Sequence, residues 1–135
     1  MSTSFDIHLP HYPRGFHLIT NDIRSMLPEL PENGLILLFL KHTSAGLTLN
    51  ENVDPDVRYD FNTFFNKIVP DGAPYFTHTM EGPDDMSAHI KSALVGFSVT
   101  IPIKNHQLNL GTWQGIYLCE FRDGGSNRTI SVTII

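Results

Sequence analysis

The longest unbroken apolar stretch, Leu35-Ile36-Leu37-Leu38-Phe39-Leu40, is six residues long and follows the turn signal Asn33-Gly34. A helix crossing a bilayer needs about 20 such residues. The run is therefore read as a strand of a globular domain, and its unbroken character predicts burial on both faces. Strand patterns dominate its surroundings. Phe5, Ile7 and Leu9 alternate before Pro10, and Phe97, Val99, Ile101 and Ile103 alternate with Pro102 marking an edge or a bulge. Ile116 to Arg122 and Arg128 to Ile135 read as two more strands, separated by the loop Asp123-Gly124-Gly125-Ser126-Asn127. Lys104-Asn105-His106-Gln107 reads as a turn.

Helical spacing is confined to a few segments. Asp54-Pro55 joins a capping carboxylate to a proline at the first helical position. Val57, Phe61, Phe64, Phe65 and Ile68 then recur on one face until Pro70. A second helix is expected from Gly82-Pro83, with Met86, Ile90, Ala93 and Leu94 as its buried stripe and Gly96 at its end. A short one is expected from Thr20 through Leu27. The expected architecture is α+β: mainly an antiparallel β-sandwich of jelly-roll type, with two or three helices packed at one side, as a single domain over 1–135.

Composition narrows the function classes. Hydrophobic residues make up 41% and charged ones 17%, against a usual charged share of roughly 25%, which argues against disorder. A formal charge of −5 with no basic cluster argues against nucleic-acid binding. The start of the chain lacks a basic segment followed by an apolar core, and Cys119 is the single cysteine. Both fit a reducing, cytoplasmic setting. Cys119 falls in a strand without a basic neighbour, so a small buried hydrophobe is expected there rather than a nucleophile.

The candidates for chemistry are acids and histidines. Eight of the fourteen acids lie between Glu51 and Asp85, opposed there only by Arg58 and Lys67. Asp56 and Asp60 share a helix face, as do Asp85 and His89. Asp84 and Asp85 also suit the first turn of a helix without any ligand, because carboxylates there meet free amides. Of seven histidines, His8, His11 and His17 read as surface or satisfied core residues, and His106 as a solvent-exposed turn residue. His42 ends a strand before the small residues Thr43-Ser44-Ala45-Gly46, which let a ligand approach backbone amides. His78 and His89 flank Glu81-Gly82-Pro83-Asp84-Asp85, a mixture of imidazole and carboxylate suited to a divalent metal, zinc or magnesium. Gly111-Thr112-Trp113-Gln114-Gly115 reads as a turn with Trp113 anchoring the core or a subunit contact, or else as the lining of a ring-binding pocket.

Several strings occur in a characteristic order: His42-Thr43-Ser44-Ala45-Gly46, then Asn50-Glu51-Asn52-Val53-Asp54-Pro55-Asp56-Val57, then Tyr75-Phe76-Thr77-His78-Thr79-Met80-Glu81-Gly82-Pro83-Asp84-Asp85 and Ala88-His89-Ile90-Lys91. Ser98-Val99-Thr100-Ile101-Pro102-Ile103, Gly111-Thr112-Trp113-Gln114 and Arg128 follow. From about Gly15 onward the chain resembles the YjbQ-like family, described as secondary thiamine-phosphate synthases. The resemblance implies a β-sandwich-like homotrimer whose site surrounds His42, His78 and His89, with a metal ion in relatives and Glu81 close by as base or ligand. It implies transfer of a pyrimidine from its diphosphate to a thiazole phosphate. Candidate substrate contacts on that reading are Thr43, Ser44, Asn50, Asp60, Lys91, Trp113, Gln114 and Arg128, with Lys91 and Arg128 facing phosphate. Two other readings stay open: a hydrolase of another small phosphorylated metabolite, and a non-catalytic trimer that holds a metal or a metabolite.

Overall fold

The computed structural model describes residues 2–135. Eight strands and three helices follow in the order β1 (Thr3–His8), β2 (Gly15–Leu18), α1 (Thr20–Met26), β3 (Asn33–Leu40), β4 (Ala45–Glu51), α2 (Pro55–Ile68), α3 (Asp85–Val95), β5 (Ser98–Lys104), β6 (Gln107–Leu108), β7 (Gln114–Glu120) and β8 (Thr129–Ile134). They form a five-stranded sheet, β1-β8-β3-β5-β6, and a three-stranded sheet, β2-β7-β4, antiparallel throughout. The α+β class with two antiparallel sheets is thus as expected. Among the described residues no helix is long and apolar enough to cross a membrane.

The core lies between the sheets, where Ile36, Leu38 and Leu40 of β3 meet Leu47 of β4, Leu118 of β7 and Val132 of β8. A second apolar cluster covers the other face of the small sheet. Phe16, Tyr117, Cys119 and Phe121 pack there with Ala88 of α3 and Phe61 and Phe65 of α2. Every residue of β7 from Gly115 to Glu120 is consequently buried. β7 is the strand enclosed on both faces, and β3 is not. Leu35 and Phe39 remain 47% and 40% exposed, alternating with the buried Ile36, Leu38 and Leu40. An apolar run specifies a strand without specifying how many layers cover it, and here the helices pack on the smaller sheet.

The helix ends follow their local signals. Asp54 caps α2 by accepting the Asp56 N–H at 2.9 Å, and Pro55 opens it. Gly96 ends α3 with φ of 98°, a region costly for residues with a Cβ. Asn105 and His106 both take positive φ, 53° and 64°, so the β5–β6 turn keeps its tight geometry although a non-glycine residue occupies the second place. The His106 ring supports it by bonding to the Leu30 carbonyl at 2.9 Å.

The helix faces depart from expectation. No side chain of α2 is fully buried, and Phe64 and Ile68 are exposed. Half of the expected stripe of α3 also faces outward: Ala93 and Leu94 are exposed and Met86 and Ile90 only partly buried, while Asp85, Ser87, Ala88, Lys91 and Ser92 are buried. Each buried polar group of that inner face finds a distant partner. Ser92 donates to the Ala45 carbonyl at 2.7 Å, Ser87 to Asp71 at 2.5 Å, and Lys91 to Asn66 at 2.7 Å.

Candidate functional site

α3 and the loop before it carry a tight group of side chains. His78, Asp85 and His89 each offer one ligand atom, and these atoms lie within 4.8 Å of one another. Asp85 and His89 are one helical turn apart, which aligns them on the inner edge of α3. His78 reaches the same carboxylate from the loop. Its Nε2 stands 2.6 Å from Asp85 Oδ2, and His89 Nε2 stands 2.9 Å from that same oxygen. The two rings tilt at 50° with centroids 5.4 Å apart.

The surroundings fix each member. Arg122, two residues beyond β7, donates from Nη1 to Asp85 Oδ1 at 2.6 Å and from Nε to Asp84 Oδ2 at 3.0 Å. Its Nη2 donates to the Glu81 carbonyl at 3.0 Å, which ties the loop to the strand end. Thr43 supplies a carbonyl 2.8 Å from His89 Nδ1. A carbonyl only accepts, so Nδ1 carries the proton, and a neutral ring then turns its Nε2 lone pair toward Asp85. Two lone pairs facing each other at 2.9 Å require a cation between them, a second proton or a metal ion. Burial opposes ionisation of Asp85, but His78, His89 and Arg122 outweigh it and hold the carboxyl below the usual range. Asp84 is depressed likewise, burial being outweighed by the Asp123 amide and Arg122.

His42 stands apart from this group. Its Nε2 accepts the Thr129 N–H at 2.8 Å, so that nitrogen is already committed and the proton sits on Nδ1. Burial, and then the Arg128 guanidinium, push its imidazole below the ordinary histidine range. His42 nevertheless shares a shallow depression of about 490 Å³ with His89, walled by Thr43, Ser92, Ala93 and Phe97.

The other sequence candidates separate. The Glu81 side chain is exposed, and Asp85 holds the central position instead. Arg128 is buried at 4% exposure, with its Nε 2.7 Å from Glu120 Oε1 and its Nη2 3.0 Å from Ser44 Oγ. It is thus occupied internally, together with Ser44. Lys91 is fully buried, and burial followed by the nearby Arg14 lowers its ammonium to about 8. Asn50 and Asp60 are exposed, and the Asn50 Oδ1 accepts the Glu51 N–H at 2.8 Å. Trp113 is 65% exposed, so it anchors no core. Gln114 lies at the far end of β7 from the histidines. The small residues after His42 serve packing as well: a Cβ on Gly46 would stand 2.9 Å from Val95 Cγ1.

Arg122 and Thr43's carbonyl were not legible as site components. Asp85 was, through its spacing from His89, although a helix-end carboxylate explained it equally well.

A two-step acid limb follows. His42 has a depressed folded value, so the unfolded chain binds the extra proton, and its contribution is lost as pH falls from about 6.5. Asp71, Asp84 and Asp85 are also depressed, and their contribution is lost below about pH 4. Urea midpoints measured between pH 8 and 3 should decline gently and then steeply. A flat profile down to pH 4 would remove the His42 contribution.

Comparison with known proteins places the chain. It is 53% identical over 130 residues to the UPF0047 protein YjbQ of Salmonella typhimurium, covering 95% of this chain and 94% of that protein. The UPF0047 protein YugU of Bacillus subtilis is 42% identical, over 87% of this chain and 86% of its own. The crystal structure of a conserved hypothetical protein from Thermus thermophilus superposes with a TM-score of 0.83 at 34% identity, covering 95% of this chain and 97% of that one. With the family profile described as "UPF0047 protein YjbQ-like" matching residues 5–135, the chain belongs to the YjbQ-like, UPF0047 family.

Proposed function

We propose that His78, Asp85 and His89 hold a divalent metal ion, zinc or magnesium, and that the protein is a metal-supported enzyme acting on a small phosphorylated metabolite. The observation that carries this is the orientation of His89: its Nδ1–H is held by the Thr43 carbonyl, and its Nε2 faces a carboxylate oxygen at 2.9 Å. Ligating histidines are oriented in this way, by a second hydrogen bond on the opposite nitrogen. Two imidazoles and a carboxylate are also the donor set of catalytic zinc sites with an open position. When bound, such an ion supplies positive charge to a leaving-group oxygen.

The chain's own residues do the rest. Arg122 keeps Asp85 ionised and aimed, and the depression beside His42 and His89 receives the body of the substrate. The resemblance in sequence supports the specific reaction, displacement of pyrophosphate from a pyrimidine's methylene by a thiazole phosphate. It also supports a homotrimer in the cytoplasm. Leu35, Leu37, Phe39 and Phe97 present an exposed apolar surface that a second copy would cover.

One observation favours hydrolysis of a different metabolite as a second reading. Arg122 and Arg128 are committed to internal carboxylates, Lys91 is buried on Asn66, and Lys41 stands 3.6 Å from Asp6. None of these four is left without an internal partner to meet the two phosphorylated substrates of the transferase.

The test is calorimetric titration with Zn²⁺, Mg²⁺ and Mn²⁺, followed by pyrophosphate release from the pyrimidine diphosphate with and without the thiazole phosphate. Metal binding with release that depends on the thiazole supports the transferase. Metal-dependent phosphate release from another member of a panel of small phosphorylated metabolites, with no thiazole-dependent pyrophosphate release, supports the hydrolase. No binding of any of the three ions would overturn the metal reading.

A further inference from the structure

Gly111, Thr112 and Gln114, from a string that the histidine centre leaves unused, border a separate cleft of about 500 Å³. Ala45 pairs with Glu120 at one end of the β4–β7 ladder and Glu51 with Gln114 at the other. Six residue steps at about 3.3 Å each put the cleft roughly 20 Å from the end where Thr43 meets His89.

Leu18, Leu108 and Leu110 are the leucines that line the cleft. Gly115 draws its walls together, since a Cβ there would stand 2.6 Å from Leu18 Cδ2 and 3.2 Å from Thr20 Oγ1. The rim has unspent hydrogen-bonding capacity of both kinds. Thr20 Oγ1 accepts the Ile116 N–H at 2.9 Å, which leaves its own proton to donate. Gln114 Oε1 accepts the Gly111 N–H at 2.8 Å, which leaves the Nε2 amide free. Asn52 Nδ2 donates to the carbonyls of Thr112 and Gln114 at 3.1 Å each, while its buried Oδ1 has no donor among the described residues. Arg24 and Asp22 cancel in formal charge, and Asp22 already receives the Tyr12 hydroxyl.

We propose that this cleft is a second binding site, for an uncharged heteroaromatic ring of nucleobase size whose edge carries both donors and acceptors. Leucine side chains and amides within one lining suit a flat ring with a polar edge, and the volume falls in the range of small-molecule sites. Ring acceptors would take the Gln114 amide and the Thr20 hydroxyl, and a ring N–H would meet the second lone pair of Gln114 Oε1.

The test is an amide-shift NMR titration of the full chain with cytosine, adenine and nicotinamide, with toluene as a ring lacking a polar edge. Saturable shifts centred on Thr20, Leu110 and Gln114 are expected from at least one polar ring and not from toluene. Gln114→Ala removes the free amide, and Thr112→Trp fills the cleft from an exposed position. Each should weaken binding roughly fivefold to tenfold while the rest of the spectrum is unchanged. Three results would overturn the proposal: no saturable shift, toluene binding as tightly as the polar rings, or shifts centred on His42 and His89 instead.

Discussion

Arg128→Met is expected to destabilise the protein by about 3–5 kcal/mol, the range for removing one partner of a buried ion pair. Glu120 and Arg128 are 1% and 4% exposed, and the guanidinium meets both carboxylate oxygens through Nε and Nη2. Without it, Glu120 keeps only the Arg122 N–H at 3.1 Å, its side chain being almost wholly buried. The loss is large against a total stability of about 5–15 kcal/mol, and it corresponds to a fall in melting temperature of about 10–20 °C. Methionine fills much of the arginine's volume, so the loss measures the stranded charge rather than a cavity. The double variant Arg128→Met/Glu120→Leu should recover most of it, because no orphan charge remains. Thermal melts of the two singles and the double decide the matter. If the double is as unstable as Arg128→Met alone, packing and not charge holds this corner together.

That pair also shows where the sequence stopped being legible. Arg128 stood out as a cation able to face phosphate, and nothing local reveals that its charge is spent on Glu120, eight residues earlier across the strand ends. The same holds for α3. Its limits could be read from Gly82-Pro83 and Gly96, since capping chemistry is a matter of neighbouring residues. Its inner face could not, because Ser87, Lys91 and Ser92 are buried by partners at Asp71, Asn66 and Ala45. Periodicity finds the more apolar side of a helix, and burial goes to whichever side has its polar groups satisfied. Likewise the six-residue run of β3 fixed a strand, while the helices' preference for the small sheet decided that β7 would be enclosed on both faces.

For the candidate site, the histidine-and-acid composition of 78–89 marked the segment, and which of its side chains gather required the fold. His42 and Asp85 exchanged places between the expected and observed groups for one reason. The Thr129 amide reaches His42 Nε2 across the strand ends, whereas Arg122 turns Asp85 inward toward both rings. Neither partner lies within thirty residues of the group it fixes.

Asp85→Asn is the change expected to affect the site most. The substitution preserves volume and the Arg122 contact through Oδ1, so the fold should lose little, and the measured effect is that of one negative charge at the focus of two imidazoles. Asn in this position can turn an amide Nδ2 toward His78 and His89, and an N–H facing an Nε2 lone pair satisfies the rings without any cation. Divalent-metal affinity should therefore fall by more than the roughly 10–100-fold typical of losing a supporting hydrogen bond, since a ligand itself is removed. Turnover on any substrate that depends on the ion should fall at least as far. Arg122→Met provides the graded comparison, because it leaves all three ligands in place and releases only their orientation. The expected order of metal affinity is wild type, then Arg122→Met, then Asp85→Asn, measured by competition with a chromogenic chelator. Equal affinity in all three proteins would show that any bound ion sits elsewhere, and His78, Asp85 and His89 would then be a proton-sharing cluster joined by hydrogen bonds alone.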